Sequence, residues 1–569
     1  MMKKELENRV GFILSWGAFV ITILVTDRIN SDPVNISKML LLSVVAFSLV
    51  AVIILLMREL FTHSKFILIG SMSFLVVAAI SVLTSLNPIE RGLYGAFGRN
   101  TGLITYVSLI IIFLTSTLVS SDKSFQKVLN AFLLAGVFNV VLSFLDVAGL
   151  DLFKWENPYN AVLGTFGNPN FVSAFMGMFL TFLVVQFLDQ SAETKSRLAY
   201  AILIISSIAT IYLSKSLQGA LVAAFGSSLA IYFFIRSKER LIKFSYIYLG
   251  GLITSAGVGL AGILNKGPLA TYLYGPTVKF RGEYWQAGIN MGMENPITGV
   301  GIDSYGIYYR TFRELSSTVA PGVNVGTDTA HNVYIDVFSG TGFPGLIFYV
   351  LINGAVLLAA VRHLRKHLSF DGRFLVLFLC WAGYQLQSIA SINQLGLAVW
   401  GWLFGGLIVA YTRTYPQGEI LDKSLKVKSG NFGKTRKEQP SQLLDASTSL
   451  KIMVGGVVGL LIALPPFVSD VKMRGLQTKK TITAEEISDF AQSWPIDNLR
   501  LNKVIVALAN GNNNDKAREL ALFATSKFPN DYASWWALDQ LTREGAPVKE
   551  AIRIKLHEID PHNPEFFEK

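Results

Sequence analysis

The sequence predicts an all-α fold: a polytopic transmembrane bundle of about 12–13 spans, with a large extracytoplasmic loop and a small helical-repeat C-terminal part. Three observations predict it. Only 16% of the 569 residues are charged while 51% are hydrophobic, against about 25% charged in a soluble globular chain. The apolar residues are gathered into long runs and not spread through one core. Basic residues collect in alternate gaps between those runs.

A bilayer core takes about 20 apolar residues per helix. Runs of that kind lie near 10–26, 37–57, 66–84, 102–119, 128–147, 171–188, 198–213, 217–235, 244–264, 343–361, 373–391, 395–412 and 452–468. The first follows Lys3, Lys4 and Arg9, as a signal peptide would, but its apolar part is long and no small-residue cleavage site follows. It reads as a retained anchor. The runs around 198–213 and 217–235 are divided only by Ser214-Lys215-Ser216, and the spans as a whole carry almost no charge.

Charge sets the orientation. A net charge of +11 in a soluble protein would raise the question of nucleic acid. Here the basic residues sit in loops, so no nucleic-acid partner is expected. With the N-terminus in the cytoplasm, the inner loops receive Arg58 and Lys65, Lys123 and Lys127, Lys195 and Arg197, the cluster Arg236 to Arg240, the stretch Arg362 to Lys366, and Lys423, Lys426, Lys428, Lys434, Arg436 and Lys437. The positive-inside rule then divides the chain into a membrane domain, 1–413, with an extracytoplasmic loop at 265–342, a basic cytoplasmic linker at 414–450, an additional span at 451–469 and an extracytoplasmic tail at 470–569. The lone Cys380 excludes an internal disulfide.

The tail repeats itself. Trp494-Pro495-Ile496-Asp497 is echoed 34 residues on by Phe528-Pro529-Asn530-Asp531, and again, two residues short of that period, by Asp560-Pro561-His562-Asn563. Ala517 and Ala551 share the 34-residue spacing. That period, with small residues inside helices and proline at their exits, predicts tetratricopeptide-like hairpins.

The unusual polar residues fall on the outer side. Phe280-Arg281-Gly282-Glu283-Tyr284-Trp285 leads to Asn295-Pro296-Ile297-Thr298-Gly299-Val300-Gly301, then Thr329-Ala330-His331-Asn332-Val333-Tyr334, then Gly340-Thr341-Gly342-Phe343-Pro344-Gly345. An Arg four residues before a Trp, a Pro-x-x-Gly-x-Gly turn, a His-Asn pair before a helix and a Gly-x-x-Gly helix start occur in that order. Gly164-Thr165-Phe166-Gly167-Asn168-Pro169-Asn170 and Phe97-Gly98-Arg99-Asn100-Thr101-Gly102 stand at the mouths of two further spans. Across residues 80 to 410 this pattern resembles the O-antigen ligase and polymerase family of membrane glycan transferases. One departure is visible: many members carry Ser-Arg at the start of the eighth span, where this chain has Leu217, with Lys215 and Gln218 as the substitutes to hand.

The resemblance implies a donor glycan on a polyprenyl (undecaprenyl) diphosphate, transferred at the outer face of a bacterial cytoplasmic membrane to a lipid, protein or polysaccharide hydroxyl, without metal or other cofactor. The diphosphate leaves as an anion, which suits the planar, permanently charged fork of arginine. Arg281 is the first candidate, with Lys215, Arg99 and Arg91 as helpers. A histidine, with an ordinary pKa near 6.5, suits the acceptor hydroxyl, and His331 is the candidate base. Asn168, Asn170, Gln218, Trp285, Asn332 and Tyr334 are substrate-contacting or structural. The blander readings are a helix-capping role for Asn168 and Asn170 and an interfacial one for Trp285 and Tyr334. A polymerase, and in another class a transporter or flippase, are the alternatives. The sparse charge inside the spans speaks against passage through the bundle.

Overall fold

The computed structural model describes residues 4–154, 157–190, 193–367, 369–415, 446–479 and 482–564. Of the basic linker expected at 414–450, residues 416–445 lie outside them. The described residues are helical throughout, with no strand among them.

Eleven of the helices are long and apolar enough to cross a membrane: Lys4–Ile23, Asn35–Leu55, Met57–Thr84, Asp122–Val147, Pro169–Leu188, Thr194–Leu213, Leu217–Arg236, Glu239–Ile263, Val333–Lys366, Leu395–Thr414 and Ala446–Thr478. Two expected spans are helical without meeting that description. Leu103–Ser116 has only 14 residues. Gly372–Ala390 carries Gln385, Gln387 and Ser388 along its apolar length. The centre of the bundle is aromatic: Phe132 lies within 5.5 Å of the rings of Phe175, Trp400 and Phe404. Buried charge inside the span helices, at Glu7, Lys38 and Asp470 among the described residues, departs from the sequence reading. Lys38 is fully buried, and its Nζ donates to the carbonyls of Ile21 and Thr22 at 2.9 and 2.6 Å. It thereby satisfies the open C-terminal end of the Lys4–Ile23 helix.

The tenth expected span, near 343–361, begins ten residues earlier than the hydropathy suggests and is broken. The Val333–Lys366 helix leaves helical geometry at Gly342, with φ +66° and ψ −167°, two residues before Pro344. Only glycine adopts such a conformation readily. The backbone groups freed at the break are taken up by the 295–301 turn: Phe343 N–H donates to the Pro296 carbonyl (2.8 Å) and Val300 N–H to that of Ser339 (2.8 Å). Backbone groups freed and buried at such a break have to find partners in the protein. Two motifs read separately in the sequence are therefore the two halves of one joint.

Beside that joint lies the Pro276–Glu294 helix. A Cβ at Gly288 would come within 2.5 Å of Ile335, and one at Gly292 within 2.5 Å of Phe338. The two glycines let this helix lie closely along the Val333–Thr341 segment.

Five shorter helices follow the last span: Ala484–Gln492, Asn498–Asn510, Asn514–Lys527, Tyr532–Gln540 and Pro547–Ile559. Asp497 and Asp531, which the repeat places 34 residues apart, each cap a helix, accepting from the N–H groups of Arg500 and Ser534. These helices fold back onto the 270–330 region, sharing one apolar cluster in which Tyr305, Tyr308 and Tyr309 meet Leu501, Leu520 and Leu556. Arg310 and Arg313 converge there on the fully buried Asp560 carboxylate, with Arg313 bonding both oxygens (3.0 and 2.8 Å).

Candidate functional site

The site is built where three segments meet at one end of the bundle: the Pro276–Glu294 helix, the 327–332 loop that opens the Val333–Lys366 helix, and the 96–102 loop before Leu103–Ser116. Asn332 starts the long helix, its Oδ1 accepting from Tyr334 and Ile335 N–H at 3.0 and 3.2 Å. Capping leaves the residue before it outside the helix, and His331 takes φ +53°, a conformation uncommon for a non-glycine residue. Thr329 Oγ1 accepts His331 N–H (3.2 Å), and Asp336 accepts Ala330 N–H (2.7 Å). The loop is thus pinned on either side of the imidazole. The ring itself lies against Tyr284, with centroids 5.7 Å apart.

Arg281 precedes Tyr284 by one helical turn. It is half-buried and, among the described residues, makes no hydrogen bond or ion pair; burial alone pulls its pKa below the ordinary arginine value. Trp285, four residues on and on the same helix face, buries an Nε1–H without an acceptor. The acid closest in sequence, Glu283, accepts from Ser316 and Ser317 (2.7 and 2.9 Å). His331 is held neutral: burial pushes its imidazole down to about 4, Asp328 opposes this, and the Arg99 and Arg281 charges add to it.

The other expected anion contacts divide. Arg99 is in the site, but its fork is on Asp328, Nε to Oδ2 at 2.7 Å and Nη2 to Oδ1 at 3.0 Å. Burial disfavours the Arg99 cation, and Asp328 more than offsets this, so its pKa stands above the ordinary value. Arg91 is buried in the joint with the tail, donating to the Asp303 carbonyl (2.9 Å) and to Asn498 (3.0 Å). Lys215 has φ +54° and donates to the Asn160 carbonyl (2.6 Å), so it is not gathered with Arg281 and His331 by any contact. Gln218 pairs with Gln387 between two spans (2.8 Å). Asn168 caps Pro169–Leu188, and Asn170 accepts from Ser216 (2.7 Å). Tyr334 donates to Gln385 (2.7 Å).

Sequence reasoning missed three carboxylates. Asp303, Asp328 and Asp336 line a cavity together with Arg99, Asn393 and Gln394, and Arg281 and His331 are not among its lining residues. Asp303 accepts from Ala96 and Thr101 N–H (2.7 and 3.2 Å), which fastens the Arg99 loop in place; burial raises its pKa. Asp328 was within sight, three residues before His331, and Asp303 follows Gly301 by two.

Residues 194–350 match the family model for O-Antigen ligase, a narrower span than the resemblance read at 80 to 410. The match takes in Lys215, Gln218, Arg281, Trp285, His331, Asn332 and Tyr334, but not Arg91, Arg99 or the tail. Comparison with curated proteins finds no match. The broken helix, the Asn332 cap beside His331 and Arg281 sit inside the matched segment, and the chain is a multi-pass membrane protein in which residues 194–350 are similar to the O-antigen ligase family.

Proposed function

We propose that this protein transfers a glycan from a polyprenyl diphosphate carrier to an acceptor hydroxyl at the outer face of the cytoplasmic membrane. The observation that carries the reading is the contrast in bonding among the arginines at this end of the bundle. Arg91, Arg99, Arg310 and Arg313 each hold hydrogen bonds to protein groups, and Arg281 does not. A guanidinium kept half-buried without an acid among the described residues is poised for an anion brought by the substrate. As the bond from the sugar C1 to the phosphate oxygen breaks, Arg281 stabilises the departing diphosphate. His331, neutral and facing the same helix, takes the proton of the attacking hydroxyl. Alignment carries much of the rate, because the leaving group is already activated.

In this reading the N-terminus is cytoplasmic, and the site, the 265–342 segment and the helical-repeat tail beyond 470 share the extracytoplasmic side. The contacts between the tail and the 270–330 region support that common side, since groups in contact cannot be separated by a bilayer. Impermeant thiol labelling of single cysteines in a Cys380→Ser background tests it: labelling at 414–449 from outside would overturn the orientation.

The activity is tested by reconstitution with defined lipid-linked glycans and a panel of lipid, protein and polysaccharide acceptors. Arg281→Ala is expected to lose both donor binding and transfer, and His331→Ala transfer with donor binding nearly intact. If His331→Ala loses donor binding as severely as Arg281→Ala, the histidine belongs to the diphosphate site and not to the acceptor.

A further inference from the structure

The mechanism above leaves Asp328 without a task, although its surroundings are the most tightly specified in the site. Both of its oxygens are occupied by the Arg99 fork. The carboxylate also stands within electrostatic reach of the His331 imidazole, three residues away on a loop pinned through Thr329 and Asp336. Arg99 is equally preorganised: Asp303 grips its loop through two N–H groups, and Asn35 donates to the Gly98 carbonyl (2.7 Å). Yet the pair is not sealed. The Arg99 and Asp328 side chains are 25% and 35% exposed, unlike the 0% of Arg313 and Asp560. A ligand can reach both.

A diphosphate presents two anionic centres. One finds Arg281, which has nothing to give up. The second meets Arg99, whose fork fits a phosphate as well as it fits a carboxylate. We propose that Asp328 is a positioning residue for His331: when a diphosphate-bearing ligand takes the Arg99 guanidinium, the released Asp328 carboxylate turns to the imidazole. This rests on the proposed diphosphate site at Arg281. In the transfer step the acceptor oxygen bonds to the sugar C1, and the electron pair of the broken C1–O bond leaves with the diphosphate. The hydroxyl proton passes to His331, and Asp328 balances the imidazolium that results. The free protein keeps its base neutral and weak, and a loaded site strengthens it. The groups acting on the imidazole are Asp328 on its own loop, Arg99 from the 96–102 loop, and Arg281 with the Tyr284 ring from the Pro276–Glu294 helix.

The test reads how readily His331 takes a proton, using the full chain in lipid nanodiscs. Diethyl pyrocarbonate acylates the neutral imidazole and not the imidazolium, so its rate at His331, followed by mass spectrometry across pH, gives the protonation midpoint. The probe is inorganic pyrophosphate, whose binding is measured separately. Pyrophosphate is expected to raise the midpoint in the wild type by about ten-fold more in protonation constant than in Asp328→Asn, that is, about one pH unit. An equal rise in both proteins, with pyrophosphate bound, overturns the exchange and leaves the diphosphate site standing. Failure of pyrophosphate to bind overturns the site and the exchange together. A second arm needs no ligand. Arg99→Gln should raise the midpoint by itself, and most of that rise should vanish in Arg99→Gln/Asp328→Asn. If the double variant keeps the full rise, Asp328 has no part in it.

Discussion

Arg313 and Arg281 stand on neighbouring segments at the same end of the bundle and are treated in opposite ways. Arg313 is 1% exposed, shares the buried Asp560 with Arg310, and donates to the Val323 carbonyl. Arg281 is half-buried and has no acid partner among the described residues. The first arrangement closes the joint between the tail and the 270–330 region. The second leaves a cation waiting. Arg99 is intermediate, paired but reachable. The grading teaches that residue type does not set an arginine's role in this chain; the degree to which its charge is already answered does.

The comparison predicts different failures for the two regions. Asp560→Ala strands two arginines without their counter-ion. Removing one partner of a buried pair costs about 3–5 kcal/mol, so the tail should loosen from the loop, read as faster limited proteolysis beyond residue 480. Protection equal to wild type would show that the joint is held by its apolar cluster alone. Arg281→Ala should leave that protection unchanged while lowering transfer about 10²–10³-fold. Arg281→Lys should fall between, because lysine keeps the charge and loses the fork. If Arg281→Ala also loosens the tail, the two regions are not separable as drawn.

Asn332→Ala sharpens the contrast from the site's side. Losing the cap should cost about 1 kcal/mol, seen as a modest fall in thermal stability. Because the cap sets the backbone at His331, transfer should fall further than stability. The smallest effect concerns pH. With the His331 imidazole at about 4 and not at its ordinary 6.5, protonation removes the base only as pH falls through about 4. The kcat/KM profile, which reports the free enzyme, should stay flat from neutrality down to about pH 5 and be halved near pH 4. An acid limb centred near 6.5 would place the imidazole in water, not in this site.

The spans could be read from the chain because hydropathy is local: each apolar run makes its own helix wherever it lies. The His331-Asn332 pair and the Gly342 to Gly345 start marked two helix starts, but the chain did not show that the 295–301 turn bonds into the break between them. The repeat spacing set Asp497 and Asp531 34 residues apart, but their capping, and the use of Asp560, which ends a helix and holds two arginines of another segment, came from the structure.

At the site, the sequence by itself determined which residue types were present and that His331 and Asn332 precede a helix, because a capping asparagine acts on the two or three residues after it. Only the tertiary structure decided which cations are free. From the chain, Arg281 is the first candidate anion ligand, with Arg91, Arg99 and Lys215 as helpers. The fold turns Arg91 into the tail joint, Arg99 onto Asp328 and Lys215 toward Asn160, and leaves Arg281 unanswered beside His331. The physical reason is reach. A charge is neutralised by what lies within a few ångströms of it, and the partners of these residues are tens to hundreds of positions away along the chain.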